Sequence, residues 1–144
     1  MTDSSPWPAF ADEGAVLLVV SRYRVAGAAR EQFLADADRG VAALAAQPGL
    51  VCASIGQSTD EAELFVIRTE WAGVGAYRRA LSSYDVKLNA VPLLSTAVDE
   101  SSAFEIVRHW TPEGRTTAAS GLAADAGAVG LGNAASAHVP PVSS

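Results

Sequence analysis

The chain has 144 residues, of which 49% are hydrophobic and 18% are charged, and its formal net charge is −6 at pH 7. This composition predicts one folded domain, and the acidic charge disfavours binding to nucleic acid, which requires basic surfaces. No apolar run reaches the roughly 20 residues that span a bilayer, and the first residues lack the positive start and apolar centre of a secretory signal. We therefore expect a cytoplasmic protein with no membrane partner.

The two ends of the chain differ in composition from its middle. Residues 1–13 are acidic and contain two prolines, which predicts a flexible lead. Residues 112–144 are dominated by Ala, Gly and Ser and contain no aromatic residue. Such a segment buries too little apolar area to offset the entropy of ordering it, so we predict a disordered tail. A docking peptide for another protein is the alternative. The folded domain is then predicted over residues 14–111.

The middle of the chain contains six predicted elements in the order strand, helix, strand, strand, helix, strand. Their predicted bounds are Ala15–Val25, about Ala28–Gln47, Leu50–Gln57, Glu63–Trp71, about Gly73–Asn89 and Ala103–Trp110. Pro48 and Gly49 end the first helix, and a short polar turn joins the second and third strands as an antiparallel hairpin. This order is typical of a ferredoxin-like α+β fold. It predicts a four-stranded antiparallel sheet in the order 4-1-3-2, with both helices on one face.

Alternation along the strands assigns side chains to the two faces of the sheet. The more aromatic side of the third strand, which we assign to the helices, carries Phe65, Ile67, Thr69 and Trp71. Ser21 and Tyr23 share that side by parity. The second helix is predicted to face it with a stripe of Tyr77, Leu81, Tyr84 and Leu88. Together these residues predict a small, mostly apolar binding site between the sheet and the helices.

The opposite face of the sheet mixes apolar and charged side chains. Its predicted members are Val20, Leu64, Val66 and Val107 together with Arg22, Arg24, Arg68, Glu70 and Glu105. A homodimer that stacks two such faces would bury the valines and pair the charges, and a domain this small gains from the extra burial. The alternative is a solvated face with weak cross-strand ion pairs.

Neither cysteine nor histidine predicts a reactive centre. Cys52 is the only cysteine and lies in a predicted strand, so we expect a buried, inert thiol and no disulfide. The two histidines are His109, which parity places away from the site, and His138, which lies in the predicted tail. No HxxxH or CxxC arrangement occurs, so we predict no metal site.

Four stretches of the folded middle carry a resemblance to a known family. They are the strand VVSRYRV, the helix that leads into QPGLVCASIGQ, the strand LFVIRTEW and the helix start AGVGAYRRAL. Over about residues 15–110 they resemble the antibiotic biosynthesis monooxygenase family, whose members fold as dimeric α+β barrels of ferredoxin-like subunits. The resemblance implies a cofactor-independent oxygenase of an aromatic polyketide. There an electron-rich anthrone or quinol, once deprotonated, reduces dioxygen itself inside an apolar cleft.

The resemblance implies roles for individual residues. Trp71 and Tyr77 stand where the family's pocket Trp and Tyr stand, and Lys87 is the nearest cation to the family's late Arg, so these three are the predicted catalytic residues. Ile67 stands where the family has an Asn. The predicted substrate contacts are Ser21, Tyr23, Phe65, Ile67, Leu81 and Tyr84.

Three alternatives remain open. The family's haem-degrading branch uses an Asn on the first strand, near Ser21, and a His on the second-helix segment, where residues 82–91 have none. Tyr84 would be the only axial ligand, so we expect no cofactor and keep haem as a minor alternative. The main alternative is a non-catalytic, small-molecule-binding or stress-associated dimer, which the missing Asn favours. The last alternative places the function in the tail.

Overall fold

A computed structural model describes residues 16–117 of the chain. The predicted lead over residues 1–13 and residues 118–144 of the predicted tail lie outside the described residues. In chain order the elements are β1 (Leu17–Arg24), a 3-10 turn (Gly27–Ala29), α1 (Arg30–Ala45), β2 (Leu50–Gln57), β3 (Leu64–Trp71), α2 (Val74–Leu81), α3 (Tyr84–Asn89), α4 (Val91–Leu94), β4 (Ala103–Glu105), β5 (Arg108–Thr111) and β6 (Gly114–Thr117). No helix among residues 16–117 is long and apolar enough to cross a membrane.

The main sheet is antiparallel, with the strand order β2-β3-β1-β4. This is the predicted order 4-1-3-2, and the ferredoxin-like α+β fold is confirmed. In the central pair, Leu17 lies opposite Trp71 and Tyr23 lies opposite Phe65. Residues directly opposite each other share a face of the sheet, so the helix-facing side groups positions that are far apart in the sequence.

The helices cover the face that the sequence assigns to them. The buried positions of β1 and β3 on the helix-facing side are Leu17, Val19, Ser21, Tyr23, Phe65, Ile67, Thr69 and Trp71, and Glu70 is the one buried position of these strands on the other side. On the sheet's other side, Leu18, Val20 and Val66 are only half-buried. We call this second side the open face. The apolar stripe of α1 covers the buried side with Phe33, Ala37 and Leu44, as its helical spacing predicts.

A glycine in the left-handed region sets the turn between α1 and β2. Gly49 has φ 96°, and a Cβ atom built there would lie 2.5 Å from Cβ of Ala76 in α2. The amide of Ala72 donates a hydrogen bond of 2.7 Å to the carbonyl of Gly49. Only glycine fits this close approach, which brings the start of α2 against the turn.

The prediction of one continuous second helix was wrong. The segment forms α2 and α3, and the hydroxyl of Ser83 caps α3 by accepting a hydrogen bond of 3.2 Å from the amide of Val86. A serine N-cap competes with helix continuation, so the chain starts a new helix in a new phase. Val86 is therefore fully buried, whereas Tyr84 and Leu88 of the predicted stripe are 78% and 58% exposed.

The prediction of one last strand was also wrong. Only Ala103–Glu105 pairs with β1, and there Leu18 lies opposite Phe104 and Leu17 opposite Glu105. Phe104 therefore shares the open face, and Glu105 shares the helix-facing side, which reverses the predicted parity. After Ile106, whose amide donates to the carbonyl of Val16, the chain leaves the sheet and forms the β5–β6 hairpin. Residues 114–117, which the sequence assigns to the tail, are its second strand.

Candidate functional site

Two hydrophobic clusters lie between the sheet and the helices. The Trp71 cluster joins β1 and β3 to all four helices and contains Leu17, Val19, Ala43, Leu44, Trp71, Val74, Ala76, Ala80, Val86 and Ala90, with Leu50, Tyr77, Leu81, Leu94 and Ala103 packed against it. The Tyr23 cluster contains Tyr23, Val25, Phe33, Ala37, Phe65 and Ile67, with Leu34, Val41, Ile55, Leu93 and Ala97 packed against it. The buried polar residues Ser21 and Thr69 lie on the part of the sheet between the Trp71 cluster and the Tyr23 cluster.

Trp71 is held in one orientation by a hydrogen bond within its own strand. The residue is fully buried, and its indole Nε1 donates a hydrogen bond of 2.9 Å to the hydroxyl of Thr69. The ring of Tyr77 from α2 lies 5.6 Å from the indole, centroid to centroid, at an angle of 51°. This tilted arrangement is favourable for aromatic pairs, so β3 and α2 together present a rigid aromatic wall.

Ser21 and Tyr23 form a second buried polar pair, on β1. Their hydroxyl oxygens are 2.9 Å apart, and both residues are buried. One hydroxyl donates to the other, so one O–H of the pair is left to donate elsewhere. Ser21 lies directly opposite Ile67 in the sheet. The ring of Tyr23 packs against Phe33 at 5.3 Å, which ties this pair to α1.

The two inward-facing phenols stay protonated at neutral pH. Burial raises the pKa of Tyr77 to about 12, and the nearby phenol of Tyr23 acts in the same direction. Burial also raises the pKa of Tyr23, against the opposing effect of its hydrogen bond to Ser21. Glu105 lies on the same side of the sheet, directly opposite Leu17. The two phenols can therefore donate hydrogen bonds to an anion, but neither of them is a base at neutral pH.

The structure separates the predicted site residues into two groups. Trp71, Ser21, Tyr23, Phe65 and Ile67 are buried on the helix-facing side, and Tyr77 and Leu81 pack against them, partly buried. Tyr84 and Lys87 lie exposed on α3, apart from this set. Both side chains are exposed because a new helix begins after Ser83, and its residues do not continue the helical spacing of α2.

Two residues were missing from the predicted catalytic and substrate-contact residues. The sequence placed Thr69 on the helix-facing side by parity, but its hydrogen bond to the indole of Trp71 was not predicted. Val86 takes the core position that the stripe gave to Tyr84. The signal there was Ser83 with Val86 three residues later, the spacing of an N-cap.

The open face carries charged side chains, with the hydroxyl of Ser54 accepting a hydrogen bond of 3.2 Å from Arg68. Arg68 bonds the nearly buried carboxylate of Glu70 at 3.2 Å, and the thiol of Cys52 donates to the same carboxylate at 3.3 Å. Burial, followed by the interaction with Glu70, raises the pKa of the Cys52 thiol. The thiol is thus kept protonated and unreactive. Among residues 16–117, no group of His, Cys, Asp and Glu side chains is arranged to hold a metal ion.

The comparisons with known proteins agree on one family. The family model described as antibiotic biosynthesis monooxygenase matches residues 16–88. The crystal structure of SnoaB, a cofactor-independent oxygenase from Streptomyces nogalater, is 27% identical and has a TM-score of 0.59, covering 69% of this chain and 99% of SnoaB. Its asparagine-to-alanine variant is 26% identical, with a TM-score of 0.56, 69% of this chain and 98% of the variant covered.

A more distant structure shares the fold alone. A conserved protein from Methanosarcina mazei Go1 is 18% identical, with a TM-score of 0.54, 63% of this chain and 92% of that protein covered. No curated protein sequence matches this chain.

Proposed function

The chain belongs to the antibiotic biosynthesis monooxygenase family, and we propose that it is a cofactor-independent oxygenase. Its substrate is a hydrophobic hydroxyaromatic molecule of the anthrone or quinol type, bound between the sheet and the helices. The observation that carries the proposal is the buried group of Trp71, Tyr77, Tyr23 and Ser21, in which an aromatic wall adjoins neutral hydroxyl donors. The 27% identity to an oxygenase over nearly its whole length supports it.

The proposed reaction balances without a cofactor. With an anthrone as substrate, a ring CH₂ group is oxidised to a carbonyl, which releases four electrons. Dioxygen accepts all four: one oxygen atom enters the substrate and the other leaves as water with the two hydrogens. The substrate anion gives the first electron to dioxygen, and the resulting peroxide collapses to the ketone. The protein's task is to bind the anion and to exclude bulk water.

The hydroxyls supply the stabilisation of the anion. Tyr77 and the Ser21–Tyr23 pair donate to the substrate oxyanion, while Trp71, fixed by Thr69, stacks on the aromatic rings. Because the phenols of Tyr77 and Tyr23 stay protonated, they do not act as the base, and in this proposal the substrate enters as its anion or loses its proton to water. Phe65, Ile67 and Leu81 provide the apolar contacts. Tyr84 and Lys87 have no role in this proposal, because their side chains are exposed on α3.

The active form in this proposal is a homodimer built on the open face. Leu18, Val20 and Val66 are half-buried there, and Phe104, in register with Leu18, is 48% exposed. Packing two open faces together buries these side chains and leaves the helix-facing sites on the outer sides of the dimer.

The test is oxygen consumption by the purified protein with a panel of anthrones and quinols. Tyr77→Phe removes one buried donor and is expected to lower kcat/KM by about 100-fold, the usual effect of losing one oxyanion donor. Tyr84→Phe removes a phenol of the same chemistry from the exposed helix surface and is expected to leave kcat/KM unchanged.

A parallel binding assay separates catalysis from binding. Hydroxyanthraquinones resemble the substrate but already carry the carbonyl, so they report binding without turnover. Binding that depends on Tyr77 in the absence of any oxygen consumption would make the protein a non-catalytic ligand-binding dimer. If neither binding nor consumption is observed, the oxygenase proposal is wrong.

A further inference from the structure

Glu105 has a defined place on the helix-facing side of the main sheet. In the strand register it lies directly opposite Leu17, and Leu17 in turn lies opposite Trp71 on the next strand. Residues opposite each other share a face of the sheet, so the three side chains form a row across it. The row spans two strand spacings, which places the backbone of Glu105 about 10 Å from that of Trp71.

The backbone around Glu105 is held on both sides. Two positions earlier, Ala103 shares the same face and packs against the Trp71 cluster. One position later, the amide of Ile106 donates a hydrogen bond of 2.8 Å to the carbonyl of Val16. Glu105 itself is partly buried, whereas its neighbour Phe104 lies on the open face and is largely exposed. The carboxylate therefore belongs to a fixed strand at the border of the buried group.

The four strands of the main sheet carry two carboxylates, and these lie on different faces. Glu70 lies on the open face, where Arg68 and the thiol of Cys52 bond it. Glu105 is the one of the two that shares a face with Trp71. The register thus brings one carboxylate to a site that otherwise consists of apolar side chains and neutral hydrogen-bond donors, and a carboxylate in such a place is a candidate general base.

The proposed reaction begins with the loss of a proton from the substrate, and the buried phenols do not accept it because they stay protonated. We propose that Glu105 is the general base that takes this proton in place of water. The inference rests on the proposed function and deepens it. A carboxylate held beside the substrate is a stronger base than water and is already in position, and a positioned general base contributes typically about 10²–10⁴-fold in rate.

The row of three side chains suits a substrate of three fused rings. When an outer ring stacks on the indole of Trp71, the middle ring lies over Leu17, because each ring of the substrate takes up about the width of one strand. The CH₂ group of the middle ring then lies within reach of Glu105, the neighbour of Leu17 on the other side. The oxygen at the opposite edge of the same ring points along β1 towards Ser21 and its hydroxyl partner.

Glu105 acts twice in the balanced reaction. Its carboxylate first takes one proton from the CH₂ group, and the electron pair of the broken C–H bond stays on the substrate as the enolate. Dioxygen adds to that carbon, and the carboxylic acid returns its proton to the outer oxygen of the peroxide. The carboxylate then removes the second C–H proton while the O–O bond breaks. The leaving hydroxide takes up that proton as water, and the ketone remains.

The ionisable groups around the row come from β1, α2 and β5. Tyr23 lies on the same side of β1, and Tyr77 of α2 packs against the indole of Trp71. Both phenols stay neutral in the assay. Arg108 and His109 follow along the chain in β5. Histidine is the commonest general base in enzymes, so His109 is included in the test.

Hydrogen exchange of the substrate separates the base from the oxygenation. In D₂O without dioxygen, a base in the site replaces the CH₂ hydrogens of a dihydroxyanthrone by deuterium although no oxygenation follows, and mass spectrometry measures the rate. We expect Glu105→Gln to lower this rate by at least about 100-fold and to leave hydroxyanthraquinone binding unchanged. Glu31→Gln removes a carboxylate that is 92% exposed on α1, and it should leave the exchange rate unchanged.

A second variant guards against a loss of folding. Glu105→Asp keeps the charge but shortens the side chain by one carbon, so its exchange rate should lie between those of the wild type and Glu105→Gln. Circular dichroism checks that each variant is folded. If Glu105→Gln is unfolded, Glu105→Asp decides the question by itself, because an exchange rate equal to that of the wild type in this variant contradicts a positioned base.

The pH dependence of oxygen consumption is a readout that a purely structural role would not move. Raising the pH ionises the free substrate, which then no longer needs a base. The kcat/KM of Glu105→Gln should therefore rise with pH and approach that of the wild type. A loss that stays the same at every pH would show that Glu105 only supports the fold of the site, and the inference would be wrong.

The remaining outcomes separate this inference from the proposed function. Equal exchange rates in Glu105→Gln and the wild type, or no exchange in the wild type, would overturn the inference even if oxygen is consumed. Exchange that is lost in His109→Gln and kept in Glu105→Gln would assign the base to His109 and overturn it as well. Exchange that depends on Glu105 without any oxygen consumption would keep the base and remove the oxygenase proposal.

Discussion

The two faces of the main sheet are built from the same four strands, yet they differ in their polar chemistry. On the helix-facing side the polar contacts are between neutral groups, Ser21 with Tyr23 and Trp71 with Thr69. On the open face they include three Arg–Glu ion pairs, with distances of 2.8, 2.7 and 3.2 Å. Strand alternation thus places neutral donors on one side and ion pairs on the other, separated by the thickness of one sheet.

This difference supports the proposal that the helix-facing side binds the ligand and the open face binds a second copy. Neutral donors beside aromatic rings suit a flat, hydrophobic anion, because they stabilise its charge without binding it irreversibly. Paired charges among half-buried valines suit a protein surface, where solvated ion pairs contribute little stability and mainly select a partner. Four substitutions test the separation, from the largest expected effect to the smallest.

Removing the central side chain of the helix-facing side is expected to have the largest effect. Trp71→Ala leaves a cavity at a fully buried site and should lower the free energy of unfolding by about 3–5 kcal/mol, measured by chemical denaturation. Trp110→Ala is the matched control, since its indole is largely exposed, and it should cost less than about 1 kcal/mol. Similar losses from both would contradict the burial contrast.

Placing a charge on the open face should separate the dimer without unfolding the subunit. In Val66→Glu each copy brings an unpaired carboxylate into the contact, so we expect the dimer Kd to rise by at least about 100-fold in sedimentation experiments. Circular dichroism should show the helices intact, because Val66 does not face them. An unchanged Kd would mean that this face is not the interface.

Alkaline pH should lower the free energy of unfolding, because the folded state resists ionisation of the Tyr77 phenol. Its folded pKa of about 12 lies above the ordinary value of about 10, so the folded state binds this proton more tightly than the unfolded state does. The resulting stability is complete below pH 10 and is lost as the pH rises through 12, with about 1 kcal/mol lost by pH 11. Denaturation at pH 9 and pH 11 should show a smaller loss for Tyr77→Phe. An equal loss in that variant would refute the assignment to Tyr77.

The smallest effect is expected at Tyr84, which the sequence placed in the helical stripe facing the site. Tyr84 is 78% exposed, so Tyr84→Ala should change the free energy of unfolding by less than about 0.5 kcal/mol and leave ligand affinity unchanged. A loss of ligand affinity in this variant would return Tyr84 to the binding site and contradict the separation of α3 from the buried set.

Local patterns in the sequence determined most of the architecture. The order of elements, the sheet order and the inward faces of β1 and β3 follow from periodicity, because alternation along a strand is a property of consecutive residues. Pro48 and Gly49 ended α1 for local reasons, and the inward side chains from Ser21 to Trp71 followed from parity. For these residues, burial and face were predictable before any contact was known.

The features that only the tertiary structure decided depend on competition between alternative local structures and on contacts between residues far apart in the sequence. Ser83 could continue a helix or cap a new one, and packing of Val86 chose the cap, which moved Tyr84 and Lys87 out of the site. The segment after Glu105 could extend β4 or leave the main sheet, and it leaves the sheet. The pairing of Phe104 with Leu18 places Phe104 on the open face, opposite to the face that the sequence predicted. The raised pKa of Tyr77 depends on burial and on Tyr23, 54 positions away along the printed sequence. Periodicity carries no information about such pairs, because they exist only after the sheet and the helices have come together.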